Sequence, residues 1–245
     1  MRWILCLLAL AGPVQAEEEL TAEQAYARNI FLSIMYHEMG HALIDIMQLP
    51  VLGLEEDAAD VMSVVLMQQF WEAGPAEDIA RSAAEFWSAN VEYWQAEGVE
   101  ETYWDVHSPD ARRVSTYVCL FYGADPDNRV DFAADLGLPD DRAATCPDEF
   151  TLANDSWGVY LSEIEDAGAG QTIVFEGDAA VDGYSALVQS EVDWMNERMS
   201  LPGTLTIKIE SCGESNAFYD PETKSITMCT ELIDDIERLA NTGAL

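Results

Sequence analysis

Basic residues are scarce in this chain of 245 residues. It has 11 lysines and arginines against 46 aspartates and glutamates, which gives a formal net charge of −35. A surface of this charge repels nucleic-acid phosphates and the headgroups of anionic lipids. The composition therefore argues against nucleic acids and membrane surfaces as partners, and most of the charge is interpreted as a solvating surface.

Long apolar runs are also missing, except at the N-terminus. Residues 1–16, MRWILCLLALAGPVQA, combine a basic Arg2, an apolar run too short to span a bilayer, and a small-residue end. This pattern predicts a signal peptide over residues 1–16 and a secreted or periplasmic protein. No later segment is apolar enough for a transmembrane anchor. Residues 17–245 are therefore predicted to form a single domain.

The chain has no CxxC pair, which argues against a zinc–thiolate site. Apart from Cys6 in the predicted signal peptide there are four cysteines, and an even number suits two disulfides in an exported protein. Three pairings are possible. Proximity in the sequence favours Cys119–Cys146 and Cys212–Cys229, each of which would contribute about 3 kcal/mol by the chain-entropy model.

Hydrophobic periodicity predicts a mostly helical chain with a few strands near its C-terminus. Helices are predicted at about 20–48, 55–71, 76–96, from Pro109, at 147–166, at 186–199 and at the C-terminus, strands at 171–178 and 204–210, and a hairpin at 217–229. The fold class is therefore α+β, predominantly helical. Active-site helices are placed at about 20–73, a disulfide-tethered loop at about 119–146, and a C-terminal α/β part at about 171–245.

Aromatic residues recur along the third predicted helix at helical spacing. They are Phe86, Trp87, Tyr93 and Trp94. Such a stripe most often packs in a core, so these side chains are predicted to be buried.

Histidine is scarce as well, yet two of the three histidines lie four residues apart in YHEMGHALID. Residues i and i+4 share one face of a helix, so His37 and His41 can direct both imidazoles at one point. Glu38 flanks that point. This is the HExxH arrangement, in which two neutral imidazoles hold Zn²⁺ and the glutamate takes a proton from a water molecule.

A second pair at four-residue spacing follows in EEDAAD, on the next predicted helix. A catalytic zinc ion needs a third protein ligand, which Glu56 can offer across an antiparallel helix pair. Asp60, one turn later, can accept the free N–H of a ligand histidine, His37 first of all.

The other residues of EEDAAD have simpler interpretations. Ala58 and Ala59 are small enough to let the two helices approach closely, and Glu55 and Asp57 are expected to be solvated charges. The alternative for the whole segment is a pair of acidic surface helices without a metal. That alternative leaves both four-residue spacings unexplained, and metal analysis discriminates between the two.

HEMGHALID and EEDAAD together resemble the gluzincin branch of zinc metallopeptidases, whose third ligand is the glutamate of an ExxxD motif on the helix after HExxH. The resemblance implies a zincin-like active-site helix pair with a small C-terminal β-sheet or hairpin. It also implies one catalytic Zn²⁺ held by His37, His41 and Glu56, with Glu38 as base and Asp60 supporting a ligand.

The chain is similar, more closely, to a bacterial family of metallopeptidase-like proteins of unknown function. The segments HSPDARRVSTYVCLFYGADP, RAATCPDEF and CGESNAFYDPETKSITMCTEL carry this resemblance along with the HExxH region, and together they span most of the chain. One departure is Ala111-Arg112-Arg113, where glutamine commonly precedes a single arginine. This departure leaves the role of both arginines open.

Peptide hydrolysis also needs a donor to the tetrahedral oxyanion and an edge that aligns the substrate. His107 is the candidate donor, although a histidine beside Ser-Pro is often a cap or surface residue, and Tyr103, Tyr117 and Tyr219 compete with it. The hairpin in NAFYDPETKSITMC could line the cleft as an edge strand or serve only as a disulfide-stapled hairpin. Asp45 is expected to have a packing or solvent role.

These expectations describe an exported zinc-dependent peptidase that acts on a peptide or protein substrate, with Glu38 as general base. Two other classes stay open. One is a non-catalytic zinc-binding envelope or periplasmic protein with a binding or structural role, and the other is an acidic, disulfide-stapled scaffold without a metal. Replacing Glu38 by glutamine separates the first from an enzyme, and zinc analysis excludes the second.

Overall fold

The computed structural model describes residues 20–99, 102, 104–177 and 181–242. The predicted signal peptide lies outside these residues. Among the described helices, none combines the length and apolar character that crossing a bilayer requires.

Helices dominate the described part of the chain, and four strands come late. In chain order the elements are α1 (Ala22–Ile46), α2 (Glu55–Phe70), α3 (Ala73–Ala96), α4 (Asp110–Ala124), α5 (Val130–Asp135), α6 (Asp140–Ala143), α7 (Cys146–Asp166), β1 (Ile173–Gly177), α8 (Asp182–Asn196), β2 (Leu205–Glu210), β3 (Ala217–Asp220), β4 (Ser225–Cys229) and α9 (Thr230–Thr242). The prediction of a predominantly helical α+β fold is confirmed.

Helix α1 occupies the centre of the molecule, with α2, α3, α9 and the edge of the sheet packed around it. Its start is set by a capping box, in which Thr21 accepts from the backbone N–H of Gln24 and the Gln24 side chain accepts from the backbone N–H of Thr21. Phe31, Met35 and Tyr36 are fully buried. The helix that carries HExxH is therefore held by packing on nearly every side.

The strands form one mixed sheet in the order β1-β2-β4-β3. β1, β2 and β4 run parallel, whereas β3 pairs antiparallel with β4 as the predicted hairpin. Asp220 closes the hairpin turn by accepting from the backbone N–H of Glu222 and the hydroxyl of Thr223, both at 2.8 Å. β3 lies at the edge of the sheet, next to α1.

The segment predicted as a disulfide-tethered loop, about 119–146, contains the short helices α5 and α6 and the end of α4. The segment is rich in proline, glycine and aspartate, which favours a loop prediction, but it also contains an apolar residue that is buried. Phe132 of α5 is buried, and its ring packs at a tilt against Phe121 of α4, with the centroids 4.8 Å apart. That contact gives the short helix α5 the burial it could not obtain alone.

Both favoured cysteine pairs are joined in the structure. Cys119–Cys146 ties α4 to the start of α7, and Cys212–Cys229 ties the segment before β3 to the end of β4. Two disulfides are compatible with a location outside the cytoplasm.

The prediction that the aromatic stripe of α3 is buried was wrong for half of its members. The buried residues of α3 lie between Ala76 and Ala84, and the second half of the helix lines a cavity instead. Tyr93 and Trp94 there are 57% and 47% exposed. Phe86 is half-buried against the core, and Trp87 is also half-buried.

Candidate metal centre and its cleft

The two helices that carry the candidate ligands approach each other closely at Gly40 and Ala59. A Cβ atom added to Gly40 of α1 would lie 2.9 Å from the Cα atom of Ala59 in α2, closer than real Cβ contacts allow. Gly40 is the fourth residue of HExxH, and Ala59 is fully buried. The small residues at this crossing bring the backbones together, as the sequence predicts for Ala59.

Three ligand-type atoms converge beside this crossing. The Nε2 atoms of His37 and His41 lie 3.3 Å apart, and each is 3.2 Å from Oε2 of Glu56. Ligands of a tetrahedral zinc ion with bonds of 2.0–2.1 Å are separated by about 3.4 Å. The geometry of the three atoms is therefore compatible with a metal ion of this size, and the third atom comes from the helix that follows HExxH.

The opposite nitrogen of each imidazole meets a carboxylate. Nδ1 of His37 lies 2.8 Å from Oδ1 of Asp60, and Nδ1 of His41 lies 2.9 Å from Oε1 of Glu55. An Nδ1–H donated to a carboxylate leaves the Nε2 lone pair free to face a metal ion. The expected contact between Asp60 and His37 is present, and the role of Asp60 in supporting a metal ligand stays a prediction. Glu55 is exposed, as expected of a solvated charge, but its bond to His41 was not predicted, because that bond depends on where the first turn of α2 lies.

Asp60 is held from behind by a residue to which the sequence assigns no role. The Nε and Nη2 atoms of Arg113 both donate to Asp60 at 2.8 Å, and its guanidinium lies over the ring of Trp87 at 4.3 Å. Arg113 is buried, whereas its neighbour Arg112 lies on the surface near Asp57. The departure at Ala111-Arg112-Arg113 points to this place, but only the fold shows which arginine turns inward.

The charges around the candidate ligands shift one another's pKa values. Burial lowers the pKa of His37, but hydrogen bonds to Asp60 and Glu56 outweigh it and raise the pKa to about 9. Burial raises the pKa of Asp60, but the hydrogen bonds from Arg113 and His37 lower it to about 2. The carboxyl of Glu56 is held well below its usual pKa, because hydrogen bonds from three imidazoles outweigh its burial. Asp60 and Glu56 are thus ionised at neutral pH, which suits cation binding.

A family model described as "Putative metallopeptidase" matches residues 10–161 and 181–244, which is most of the chain. The chain belongs to this family. Comparison with curated proteins and with solved structures gave no match. The family description implies a metal, and the cluster of His37, His41 and Glu56 is compatible with one.

Glu38, which the HExxH pattern marks as the base of such a metallopeptidase, is a buried side chain next to the candidate ligands. Burial raises the pKa of its carboxyl, although the neighbouring imidazoles oppose the shift. Its carboxylate also accepts a hydrogen bond from the backbone N–H of Tyr219 in β3. The edge strand and the candidate base are therefore in direct contact.

The candidates for the oxyanion donor lie at different distances from the candidate ligands and differ in their contacts. His107 is half-exposed and its Nε2 lies 3.1 Å from Oε2 of Glu56, so the fold brings the third histidine to the other two. Tyr117 is buried and its hydroxyl contacts Sδ of Met67 at 3.3 Å. The hydroxyl of Tyr219 donates to Asp45 at 2.6 Å. Tyr103 lies outside the described residues.

Asp45 packs against the edge of the sheet rather than against a candidate ligand. Besides Tyr219 it binds the ammonium group of Lys224. These contacts fasten the end of α1 to the hairpin, in agreement with the packing role expected of Asp45.

A cleft runs across the candidate metal centre and is made of two cavities. One, of about 920 Å³, is named the aromatic cavity because the side chains of Phe86, Trp87, Tyr93 and Trp94 line it. The other, of about 850 Å³, is named the carboxylate cavity because it is lined by the side chains of Glu38, Asp45, Glu55 and Glu56. Both cavities share Glu38, His107, Asn216 and Ala217. The cleft therefore follows the start of β3 past the candidate base.

Proposed function

We propose that this protein is a zinc-dependent peptidase that works outside the cytoplasm and hydrolyses peptide bonds with Glu38 as general base. One observation carries the proposal: Nε2 of His37, Nε2 of His41 and Oε2 of Glu56 converge within 3.3 Å of one another beside a buried glutamate. The membership of a metallopeptidase family supports it.

The donor set favours zinc over other divalent ions. Two imidazole nitrogens and one carboxylate oxygen form a three-ligand set typical of catalytic zinc, which leaves one position open. Magnesium and calcium prefer sets made of oxygen atoms. Zinc held there supplies Lewis-acid chemistry, because it acidifies a water molecule and polarises the scissile carbonyl.

Glu38 is suited to move the proton of the attacking water. In hydrolysis the water oxygen bonds to the carbonyl carbon, the C–N bond breaks, and the proton taken by the base passes to the leaving amine. Burial raises the pKa of Glu38, which makes its carboxylate a better proton acceptor and keeps the transferred proton available for the amine. The hydrogen bond from the backbone of Tyr219 holds the carboxylate toward the cleft.

The outer edge of β3 is suited to align an extended peptide. β3 pairs with β4 on one side, and its other side borders both cavities at Ala217. A peptide added as a strand to this edge would donate to its main-chain carbonyls, because the backbone N–H groups of Ala217 and Tyr219 already donate to Asn216 and Glu38. Its alternate side chains would enter the cavities. This alignment would bring a scissile bond past Glu38.

His107 is the proposed donor to the oxyanion. It contacts Glu56 from a segment outside the helix pair and borders both cavities. A half-exposed imidazole at that position can turn toward a substrate oxygen without disturbing either ligand histidine. Export, which the two disulfides support, completes the proposal.

The test compares the wild-type protein with Glu38→Gln, both purified with their native metal. We expect one zinc ion per chain in each, peptide hydrolysis in the wild type, and a loss of hydrolysis in the variant of at least about 1,000-fold. Metal analysis by mass spectrometry and a proteome-derived peptide library provide the two measurements.

Each other outcome removes a part of the proposal. Zinc in both proteins without hydrolysis in either would indicate a non-catalytic zinc-binding protein. The absence of zinc from the wild type, together with no change on His37→Ala, would remove the metal centre altogether. Equal hydrolysis by both proteins would show that Glu38 is not the base.

A further inference from the structure

The rim of the carboxylate cavity carries exposed apolar side chains. Leu54, Val106 and Phe218 line this cavity and are 46%, 63% and 39% exposed. They come from three separate places, since Leu54 directly precedes α2, Val106 lies between α3 and α4, and Phe218 belongs to β3. Exposed apolar side chains that gather around one opening are typical of a surface that a ligand covers.

Besides two histidines, the ionisable side chains that line the cavity are acidic. None of the described residues in its lining is a lysine or an arginine, and the four carboxylates are those of Glu38, Asp45, Glu55 and Glu56. The net charge of −35 attracts cationic chains to the protein as a whole. The electrostatics of the cavity therefore favour a cationic group and repel an acidic one.

The four carboxylates differ in what they already bind. One is the candidate base, one is a candidate metal ligand, and Asp45 binds the ammonium group of Lys224. Glu55 is 53% exposed and bonds through Oε1 to Nδ1 of His41. A carboxylate has two oxygen atoms, so Glu55 can keep this bond and accept from a ligand as well. Of the four, Glu55 is the carboxylate best placed to pair with a ligand.

An apolar rim beside an exposed carboxylate matches one kind of side chain. Lysine and arginine have an apolar stem that packs on apolar surface and a cationic head that pairs with a carboxylate. A purely apolar side chain would cover Glu55 and desolvate its charge without a partner. A second metal ion does not fit, because in the described part of the chain only His37, His41 and Glu56 bring ligand atoms close enough to share one.

The carboxylate cavity lies beside the proposed place of hydrolysis. Glu38 and Ala217 line both cavities, and β3 continues from Ala217 along the carboxylate cavity to Phe218 and Tyr219. An extended peptide advances about 3.3 Å for each residue. Substrate residues within about three positions of the scissile bond can therefore lie along this wall.

From these observations we infer that the carboxylate cavity selects a lysine or arginine side chain within about three residues of the scissile bond, and that Glu55 is the residue that selects it. The stem of the side chain packs on the apolar rim, and its cationic head pairs with Glu55. The inference rests on the proposed peptidase function and deepens it, because it names cationic peptides as the class of substrate.

The experiment digests a peptide library with the zinc-loaded wild type, Glu55→Gln and Glu163→Gln. Glu55→Gln removes the charge but keeps an acceptor for His41. Glu163→Gln, on an exposed position of α7 outside the cavity, changes the net charge by the same amount and is the matched control. Mass spectrometry gives the frequency of Lys and Arg relative to Met and Gln at each position around the cut. Each ratio is taken within one protein, so a change in turnover cancels from it.

We expect the wild type and the control to favour Lys or Arg about three- to ten-fold at a fixed position near the cut. Glu55→Gln should lose most of this preference, and high salt should weaken it in the wild type. Wild-type cut sites without such enrichment would overturn the inference, as would enrichment that Glu55→Gln retains. An equal loss in both variants would also overturn it, because the preference would then come from net charge rather than from the cavity.

A binding measurement separates this inference from the proposed hydrolysis. Pairs of alanine-rich hexapeptides that differ only by Lys or Met at the second, third or fourth position are titrated calorimetrically into zinc-loaded Glu38→Gln, with and without Glu55→Gln. Tighter binding of a Lys peptide that Glu55→Gln abolishes supports the inference even if no peptide is ever cleaved. Equal binding within every pair overturns it even if hydrolysis is established.

Discussion

The two imidazoles of the candidate metal centre are held by different kinds of support. Asp60, the partner of His37, is 14% exposed and is itself fixed by Arg113 and Trp87. Glu55, the partner of His41, is 53% exposed, and its carboxylate bonds to Nδ1 of His41 at the surface. One histidine is therefore supported by a buried chain of contacts that crosses three helices, and the other by a single surface carboxylate.

The difference between the two supports indicates that the geometry of the candidate centre is set mainly on the side of His37. Buried, hydrogen-bonded charges keep one arrangement because every alternative leaves a charge desolvated and unpaired. A surface ion pair exchanges readily with water and contributes little. His37 should thus be the rigid ligand and His41 the adaptable one, and the following substitutions test this contrast from the largest expected effect to the smallest.

Asp60→Ala should have the largest effect, because it removes the partner of His37 and deprives the buried Arg113 of the carboxylate to which it donates. We expect the free energy of unfolding to fall by about 3–5 kcal/mol and zinc affinity to fall about 10–100-fold. Urea unfolding and zinc competition titrations measure the two. Combining Asp60→Ala with Arg113→Met should restore part of the stability but not the zinc affinity, and wild-type behaviour of the single variant would contradict the contrast.

His107→Ala tests whether a residue near the candidate centre can act in catalysis without contributing to metal binding. His107 contacts Glu56 but belongs to neither histidine's support. If it donates to the oxyanion, kcat should fall about 100-fold while zinc content is unchanged. Steady-state kinetics on the best library peptide measure the change, and near-full turnover would transfer the role to another residue.

Gly40→Ala tests the helix crossing on which both sides depend. The added Cβ would lie 2.9 Å from the Cα of Ala59, so α1 and α2 must separate, at a cost of about 1–3 kcal/mol and with weaker zinc binding. Gly158→Ala in α7 is the matched control, since its Cβ would meet nothing within 4 Å and should stabilise the helix by up to about 1 kcal/mol. Equal unfolding free energies for both variants would disprove the role of the crossing.

Glu55→Ala should have the smallest effect. The exposed carboxylate of Glu55 supports only His41, so we expect stability to change by no more than about 0.5 kcal/mol and zinc affinity by less than about ten-fold. The same titrations at low and high salt check this result, with Glu55→Gln as the variant that keeps an acceptor. If Glu55→Ala lowered stability and zinc affinity as much as Asp60→Ala, the proposed contrast between the supports of His37 and His41 would be disproved.

Much of the candidate centre could be predicted because it depends on local geometry. His37 and His41 share a helix face because they are four residues apart, and the same is true of Glu56 and Asp60. A short connection joins the two helices. The hairpin of β3 and β4 likewise follows from alternating side chains around an Asp-Pro turn.

What could not be predicted depends on which surfaces another element covers. In the sequence Glu55 is one acidic residue among several, and its bond to His41 exists only because the fold places the start of α2 against His41. Tyr93 and Trp94 have the spacing of core residues, and only the absence of a covering element over the second half of α3, in the described part of the chain, leaves them in a cavity. Arg113 and Arg112 are neighbours in the sequence, and burial distinguishes them.

The sequence by itself determined the helical α+β class, the two motifs that carry the candidate ligands, and the candidate base, because each rests on the period of one helix or strand. Only the tertiary structure decided that Arg113 fixes Asp60, that His107 reaches Glu56, and that an aromatic cavity and a carboxylate cavity meet at the base. These contacts join residues dozens of positions apart, and their free energy comes from desolvation and pairing that no local pattern encodes.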